Sequence, residues 1–328
     1  MTDLSMSASA SASASAAAAA ASAGLSSGPE AVLAAGSRGM LPSDLADEDT
    51  TTKKLGLFFW ICVAWILLVI VMALIANLLP LPNPTIGNYN APQNAGPGWG
   101  HLLGTDDLYR DIFSRLVFGS RVSLIVGFGG TLIGLMLGGV PAMISAYRRG
   151  RVDTLLNTTS YVVLAFPAIV AVIAIVSFWG HALWKITLVI GIAGAPLIFR
   201  VIRASTLSYA TRDFVLAAKA LGASDRRILA REILPNILPT VVSFGLIAVA
   251  SIIVLEGSLA FLGLSVQPPT PSWGNMLNES ASLLTGGKGQ TNPWLVIFPA
   301  GAMFLLLFSL NVVADKLRSY FDVTEVKL

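Results

Sequence analysis

Six stretches of this chain are too long and too apolar to belong to a water-soluble core. They run from about Leu55 to Leu79, Val122 to Ala146, Thr154 to Phe178, Ala182 to Phe199, Ile237 to Leu264 and Pro293 to Ala314. One helical crossing of a bilayer needs about 20 mostly apolar residues. Only 182–199, with Lys185 at one edge, falls short of a comfortable crossing. Hydrocarbon offers no partner to a free N–H or C=O, so each segment must be helical. The expected fold class is an all-α membrane protein with six transmembrane helices. The charged fraction agrees: 12% here, against about 25% in soluble domains.

Basic residues orient the crossings. With the amino terminus inside, and Arg38 of the tail set aside, fifteen Lys and Arg fall in inner segments. Five fall outside: Arg110, Arg115, Arg121, Lys185 and Lys288. Both termini are therefore expected in the cytoplasm, in a multi-pass protein of the cell (inner or plasma) membrane surrounded by membrane lipid. The net charge of +3 gives no support for a nucleic-acid partner.

Residues 1–52 are Ala/Ser-rich and then acidic, with Asp44, Asp47, Glu48 and Asp49. Such a segment buries too little apolar surface to fold, so a disordered cytoplasmic tail is expected. It lacks the basic start and apolar centre of a signal peptide. Cys62 is the single cysteine, and His101 and His181 have no ligand spacing, so neither a disulfide nor a metal site is expected. No nucleophile–base pair supports an enzyme. Thr285-Gly286-Gly287-Lys288-Gly289 superficially resembles a phosphate loop, but Gly289 stands where Ser or Thr is required and Ser282 where Gly is.

Two outer connections are long. The first, Leu81 to Arg121, opens with Pro82, Pro84, Pro92 and Pro97. Its later part spaces Leu108, Ile112, Arg115 and Leu116 as one helix face, with Thr105 or Asp106 as N-cap, which predicts an amphipathic surface helix. The second, Ser265 to Asn292, contains Pro268, Pro269, Pro271 and several glycines and reads as a loop.

The inner connection between Arg200 and Pro235 carries more than a turn requires. Phe214, Ala217, Ala218 and Leu221 recur at i, i+3, i+4 and i+7, one small apolar face. Gly222 interrupts, Ser224 can cap, and Asp225 to Leu234 can form a second helix before Pro235. A solvated hairpin and a docking element for a soluble partner both fit this pattern.

Within the membrane, Gly127, Gly130, Gly134 and Gly138 lie on one helix face, spacing that lets backbones approach closely. Pro141, Pro167, Pro196 and Pro299 interrupt spanning segments. Glu256 is the one acid inside an apolar span, either a structural partner for another helix or a residue facing a path.

Ala217-Ala218-Lys219-Ala220-Leu221-Gly222, nine residues, then Glu232-Ile233-Leu234-Pro235 resembles the Glu-Ala-Ala signature of binding-protein-dependent ABC importer permeases, with Leu216 in place of the leading acid. Gly104-Thr105-Asp106, Arg110-Asp111 and Ser114-Arg115 resemble a segment of the dipeptide/oligopeptide branch, which has Gly where this chain has Tyr109. Ser258 to Leu264, Gln267-Pro268-Pro269 and Trp273-Gly274 resemble another, and Asn311, Asp315, Leu317-Arg318 and Asp322 a third. The resemblance spans about residues 55–325 and points to the "C-type" partner of the permease pair.

This resemblance implies a type I ABC importer permease fold, with 53–328 as transmembrane domain and 211–235 as coupling segment. The implied function is the membrane-spanning subunit of an ATP-driven importer of di- or oligopeptides. It would work with a second homologous permease, two ABC ATPase subunits and an extracytoplasmic peptide-binding protein. No cofactor is expected in this chain; ATP and Mg would belong to the ATPases. Phe214, Ala217, Ala218, Leu221, Gly222, Ser224 and Pro235 would couple to an ATPase. Asp106, Arg110, Asp111, Arg115, Gln267, Pro268 and Trp273 would border the outer gate or the binding protein. Import of nickel chelates or another small solute by the same architecture, and a secondary transporter without ATPases, are the competing readings.

Overall fold

The structure, a computed structural model, describes residues 55–285 and 292–325. The tail 1–52 and the Gly286–Gly289 stretch lie outside the described residues. Among the described residues there are nine helices: α1 (Leu57–Ile75), α2 (Ile112–Arg148), α3 (Arg151–Ala165), α4 (Ala168–Trp179), α5 (Leu183–Tyr209), α6 (Asp213–Ala220), α7 (Asp225–Phe261), α8 (Trp273–Thr285) and α9 (Trp294–Glu325). Five of them, α1, α2, α5, α7 and α9, are each long and apolar enough to cross a membrane; α3 and α4 together make a sixth span, bent by 83°.

The chain's punctuation explains the boundaries. Arg149 and Gly150 both have positive φ (56° and 81°), a conformation that ends α2 and turns the chain into α3. Pro167 supplies no N–H and disfavours helix at Phe166, so the third apolar segment breaks there instead of running straight to Phe178. Two helices contain a π-helical stretch, Leu135–Gly139 in α2 and Ile228–Ile233 in α7. Each ends two residues before a proline, Pro141 or Pro235. A proline ring clashes with the carbonyl four residues back, and the wider π turn gives that carbonyl room. The helix therefore continues through Pro235, which lies within α7 and not at a boundary between two helices.

Close backbone approach fixes the centre of the bundle, where α2 crosses α5. A Cβ on Gly138 would collide with the Ala195 carbonyl, one on Gly134 would stand 2.6 Å from Ile198, and one on Gly191 would stand 2.8 Å from the Gly130 carbonyl. Gly127 packs instead against Val249 and Ile253 of α7. The glycine face thus serves dense packing. One apolar core joins α1, α2, α7, α8 and α9 through Phe59, Leu124, Ile253, Trp273 and Leu306. A second gathers Phe199, Ile202, Val215, Ile228 and Ile237 at the end of the bundle that carries α6. A third seats α4 on α5 through Val172, Val176, Ile186 and Ile190.

Two expectations are corrected. No helix covers Asp106–Asp111: α2 begins at Ile112, with Asp111 as its N-cap, accepting from Ser114 N at 2.8 Å. The Asp106 carboxylate captures the Leu108 and Arg110 amides at 2.9 and 2.8 Å, an alternative to helix that short acidic side chains offer. Tyr109 completes that turn at φ 60°. The connection 265–292 is likewise not all loop, since it contains α8. The prolines end at Pro271; Ser272 Oγ then accepts from Asn275 N at 3.1 Å and starts the helix.

Candidate functional site

The segment from Arg212 to Pro235 forms a short helix, a tight turn and the start of α7. Ala223 N donates to Ala218 O and Gly222 N to Lys219 O, both at 3.0 Å. This pair of bonds is a Schellman motif, and it requires a left-handed residue at Gly222, where φ is 82°. Within the chain, a Cβ on Gly222 would meet no atom within 4 Å. The glycine is thus demanded by backbone conformation and not by crowding. Ser224 takes the N-cap position of α7 with extended backbone, but its side chain makes no capping bond.

The helix α6 is anchored on one side only. Val215 is buried and joins Ile228 and Ile233 in the second core, with Ala218 packed partly against it. Phe214, Ala217 and Leu221 point away, and Leu221 is 88% exposed. Three of the four residues read as one apolar face therefore remain uncovered, while Ala218 turns inward. Val215 is the anchor that the spacing missed, because the i, i+3, i+4 pattern centred on Phe214 passes it by. Beside α6 lies a groove lined by Tyr147, Arg148, Arg149, Leu216, Lys219 and Asp225. Asp225 holds one wall to another: Arg148 approaches it at 3.6 Å and Tyr147 Oη donates at 3.4 Å. Further along α5, Arg203 grips Asp153 of α3 with two bonds of 2.7 and 2.6 Å. Pro235 is exposed near the start of α7.

At the opposite end, the predicted contact residues divide into buried and exposed sets. Arg110 and Arg115 are 3% and 1% exposed. Their guanidinium groups bridge two carboxylates: Asp106 Oδ2 accepts from Arg110 Nε at 2.6 Å and Arg115 Nη1 at 2.9 Å. Glu279 Oε2 of α8 accepts from Arg110 Nη2 and Arg115 Nη2, both at 2.8 Å. Two cations and two anions thus close a ring that fastens the 81–111 connection and α2 to α8. Asp111 is also used internally, capping α2 and contacting His101 Nδ1 at 2.9 Å. Trp273 is buried, its indole donating to Leu116 O at 2.9 Å. Only Gln267 and Pro268 of this group are exposed, with Gln267 Nε2 donating to Gly263 O at 3.0 Å. The sequence reading missed Glu279, though a signal existed: it is the only acid between Glu256 and Asp315.

Glu256 is fully buried in α7. Ser265 Oγ donates to one carboxylate oxygen at 2.9 Å and Ser123 Oγ of α2 lies 3.3 Å from the other. Through these two hydroxyls it ties α2 to the loop after α7.

Residues 130–322 match the family described as binding-protein-dependent transport system inner membrane component. The chain belongs to this family. As an inner-membrane component with five to six apolar spans, it is a multi-pass membrane protein. It is 35% identical over 259 residues to the glutathione transport system permease protein GsiD of Pectobacterium atrosepticum, covering 79% of this chain and 84% of that protein. It is 36% identical over 251 residues to the dipeptide transport system permease protein DppC of Alkalihalophilus pseudofirmus, covering 76% and 81%. Among solved structures, the MetNI methionine ABC transporter in inward-facing conformations aligns with a TM-score of 0.52 at 17% identity, covering 64% of this chain and 97% of that one. That likeness shows the type I ABC importer permease fold.

Proposed function

We propose that this chain is one membrane-spanning subunit of an ATP-driven importer of di- or oligopeptides, lining a translocation path with a second permease. The relatives named for dipeptide and glutathione transport support the substrate class. The observation that carries the coupling is α6: a helix held by Val215 on one side and offering Phe214, Ala217 and Leu221 on the other. This uncovered face suits a groove on a soluble ATPase, and the basic groove lined by Arg148, Arg149 and Lys219 lies beside the same helix. The chain itself hydrolyses nothing; ATP and Mg belong to two ATPase subunits.

Both termini and α6 are assigned to the cytoplasm, from the excess of Lys and Arg on that side. The 81–111 connection then faces outward, where a peptide-binding protein delivers its load. Its exposed Tyr89, Trp99 and Leu102, with Gln267 and Pro268, form the contact surface. Asp106, Arg110, Asp111, Arg115 and Trp273 act behind that surface by holding its shape. ATP binding closes the ATPases and favours the outward-open permease pair, and hydrolysis restores the inward-open one, so substrate passes by differential stabilisation of two states. The bent α3–α4 pair, with Tyr161, Val163, Phe166 and Ile175 uncovered, supplies a face for the second permease.

Isolation of the expressed operon products in mild detergent tests this reading. The chain should come away with a second permease and two ATPases, and peptide with its binding protein should stimulate ATP hydrolysis. A chain that isolates without any ATPase would overturn it; stimulation by a nickel chelate and not by peptide would replace the substrate.

A further inference from the structure

On the outer flank of the bundle, α1 and α2 diverge and leave a groove of about 480 Å³. Its walls are Ile70, Leu74, Leu124, Ile125 and Phe128, all on spanning helices, and its mouth holds Arg121 and Asn77. The mouth stands where α1 ends: Arg121 donates to the carbonyls of Ala73 and Leu74 in the last turn of α1, and to Asn77 Oδ1 at 2.9 Å. Its guanidinium also lies over the Phe118 ring, 5.2 Å from the centroid. Every one of these partners is neutral. Three of the five guanidinium N–H groups are engaged, which leaves one on each terminal nitrogen. The result is a cation with no counter-ion among the described residues, held at the rim of an apolar slot.

We propose that this groove seats one anionic phospholipid. Its acyl chain lies along Ile70, Leu124, Ile125 and Phe128, and its phosphate rests against Arg121 beside Asn77. Two features select this occupant. A long basic side chain at the end of a spanning helix sits at headgroup depth, with apolar surface below it. A fixed positive charge there attracts an anionic headgroup, with a worth at the surface that corresponds to about fivefold in binding. Arg121 differs in this from Arg110 and Arg115, whose charges are neutralised by Asp106 and Glu279. The lipid completes the seam between α1 and α2, alongside the Arg121 bonds and the apolar packing of Ala73 and Leu124.

The test uses the full-length chain in detergent, offered equal amounts of phosphatidylglycerol and phosphatidylcholine with the same acyl chains. Bound lipid is read by native mass spectrometry. The wild-type chain should retain phosphatidylglycerol over phosphatidylcholine by about fivefold. Arg121→Gln should abolish the preference, and Arg121→Lys, which keeps the charge, should preserve it. Ile125→Trp, which fills the slot and leaves Arg121 in place, should lower retention of both lipids. Equal retention by the wild type, a Gln variant with the preference intact, or an Ile125→Trp chain that binds lipid normally would each overturn the proposal. So would an Ile125→Trp chain that holds its lipid but no longer assembles with the second permease, because the groove would then be a subunit contact.

Discussion

Arg115 Nη2 donates to Glu279 Oε2 at 2.8 Å, a bond between residues 164 positions apart in the chain. It closes the ring with Arg110 and Asp106 and joins the first long connection to the helix inside the second. The two connections are therefore one fastened unit, and the ring is its clasp.

Removing Arg115 leaves two carboxylates, Asp106 and Glu279, facing the single remaining cation of Arg110. Arg115→Met should cost about 3 kcal/mol, the scale for removing one member of a buried ion pair. The double variant Arg115→Met/Glu279→Gln should cost less than the sum of its parts, with a coupling of about 1 kcal/mol or more. Thermal unfolding of the three variants in detergent measures this; strict additivity would show that the two groups act independently.

Tyr109 occupies a left-handed position, φ 60°. Left-handed backbone costs an L-residue about 1–2 kcal/mol. Tyr109→Gly and Tyr109→Ala both remove the ring that meets Tyr89 at 5.3 Å. They differ chiefly in backbone freedom, so the Gly variant should be the more stable by about 1 kcal/mol. Equal stability would mean the turn relaxes when the ring is lost.

The Glu256 carboxylate holds two serine hydroxyls from separate elements. Glu256→Gln keeps an acceptor and a similar shape, and should lower stability by about 1 kcal/mol while peptide uptake persists. Glu256→Ala opens a cavity and orphans the hydroxyls, and should cost about 3 kcal/mol or more. Loss of uptake in the Gln variant with normal stability would place Glu256 in the path instead.

How much of this could be read from the chain follows from what each signal reports. Apolar length reports burial in lipid, so the spans were legible, and the spacing of Gly130, Gly134 and Gly138 announced a close backbone approach without showing that α5 would be the partner. Gly222 was legible because a left-handed turn leaves few other choices. Helix spacing misled at Asp106–Asp111, since periodicity cannot see a carboxylate that captures amides locally. Proline density misled at 265–292, because Pro271 precedes α8 and only Ser272 marks its start. The buried state of Arg110 and Arg115 was not legible without Glu279, whose approach is a long-range event. The bend at Pro167 lies between these cases: the residue was visible, but membrane helices tolerate proline, as Pro196 in α5 and Pro299 in α9 do here.

Orientation has its own test. On a Cys62→Ser background, a cysteine replacing Asn90 should react with an impermeant thiol reagent from outside intact cells. One replacing Lys219 should react only in inverted vesicles. The reverse pattern would invert the assignment of the two ends.

The central claim is that α6 transmits ATP hydrolysis to the permease. Leu221 is the residue to change, because at 88% exposure it contributes little to the chain's own packing. In the reconstituted complex, the account predicts that Leu221→Asp leaves the chain folded and inserted but abolishes peptide-stimulated ATP hydrolysis. Stimulation at the wild-type level in that variant, and again in Gly222→Val, would contradict it.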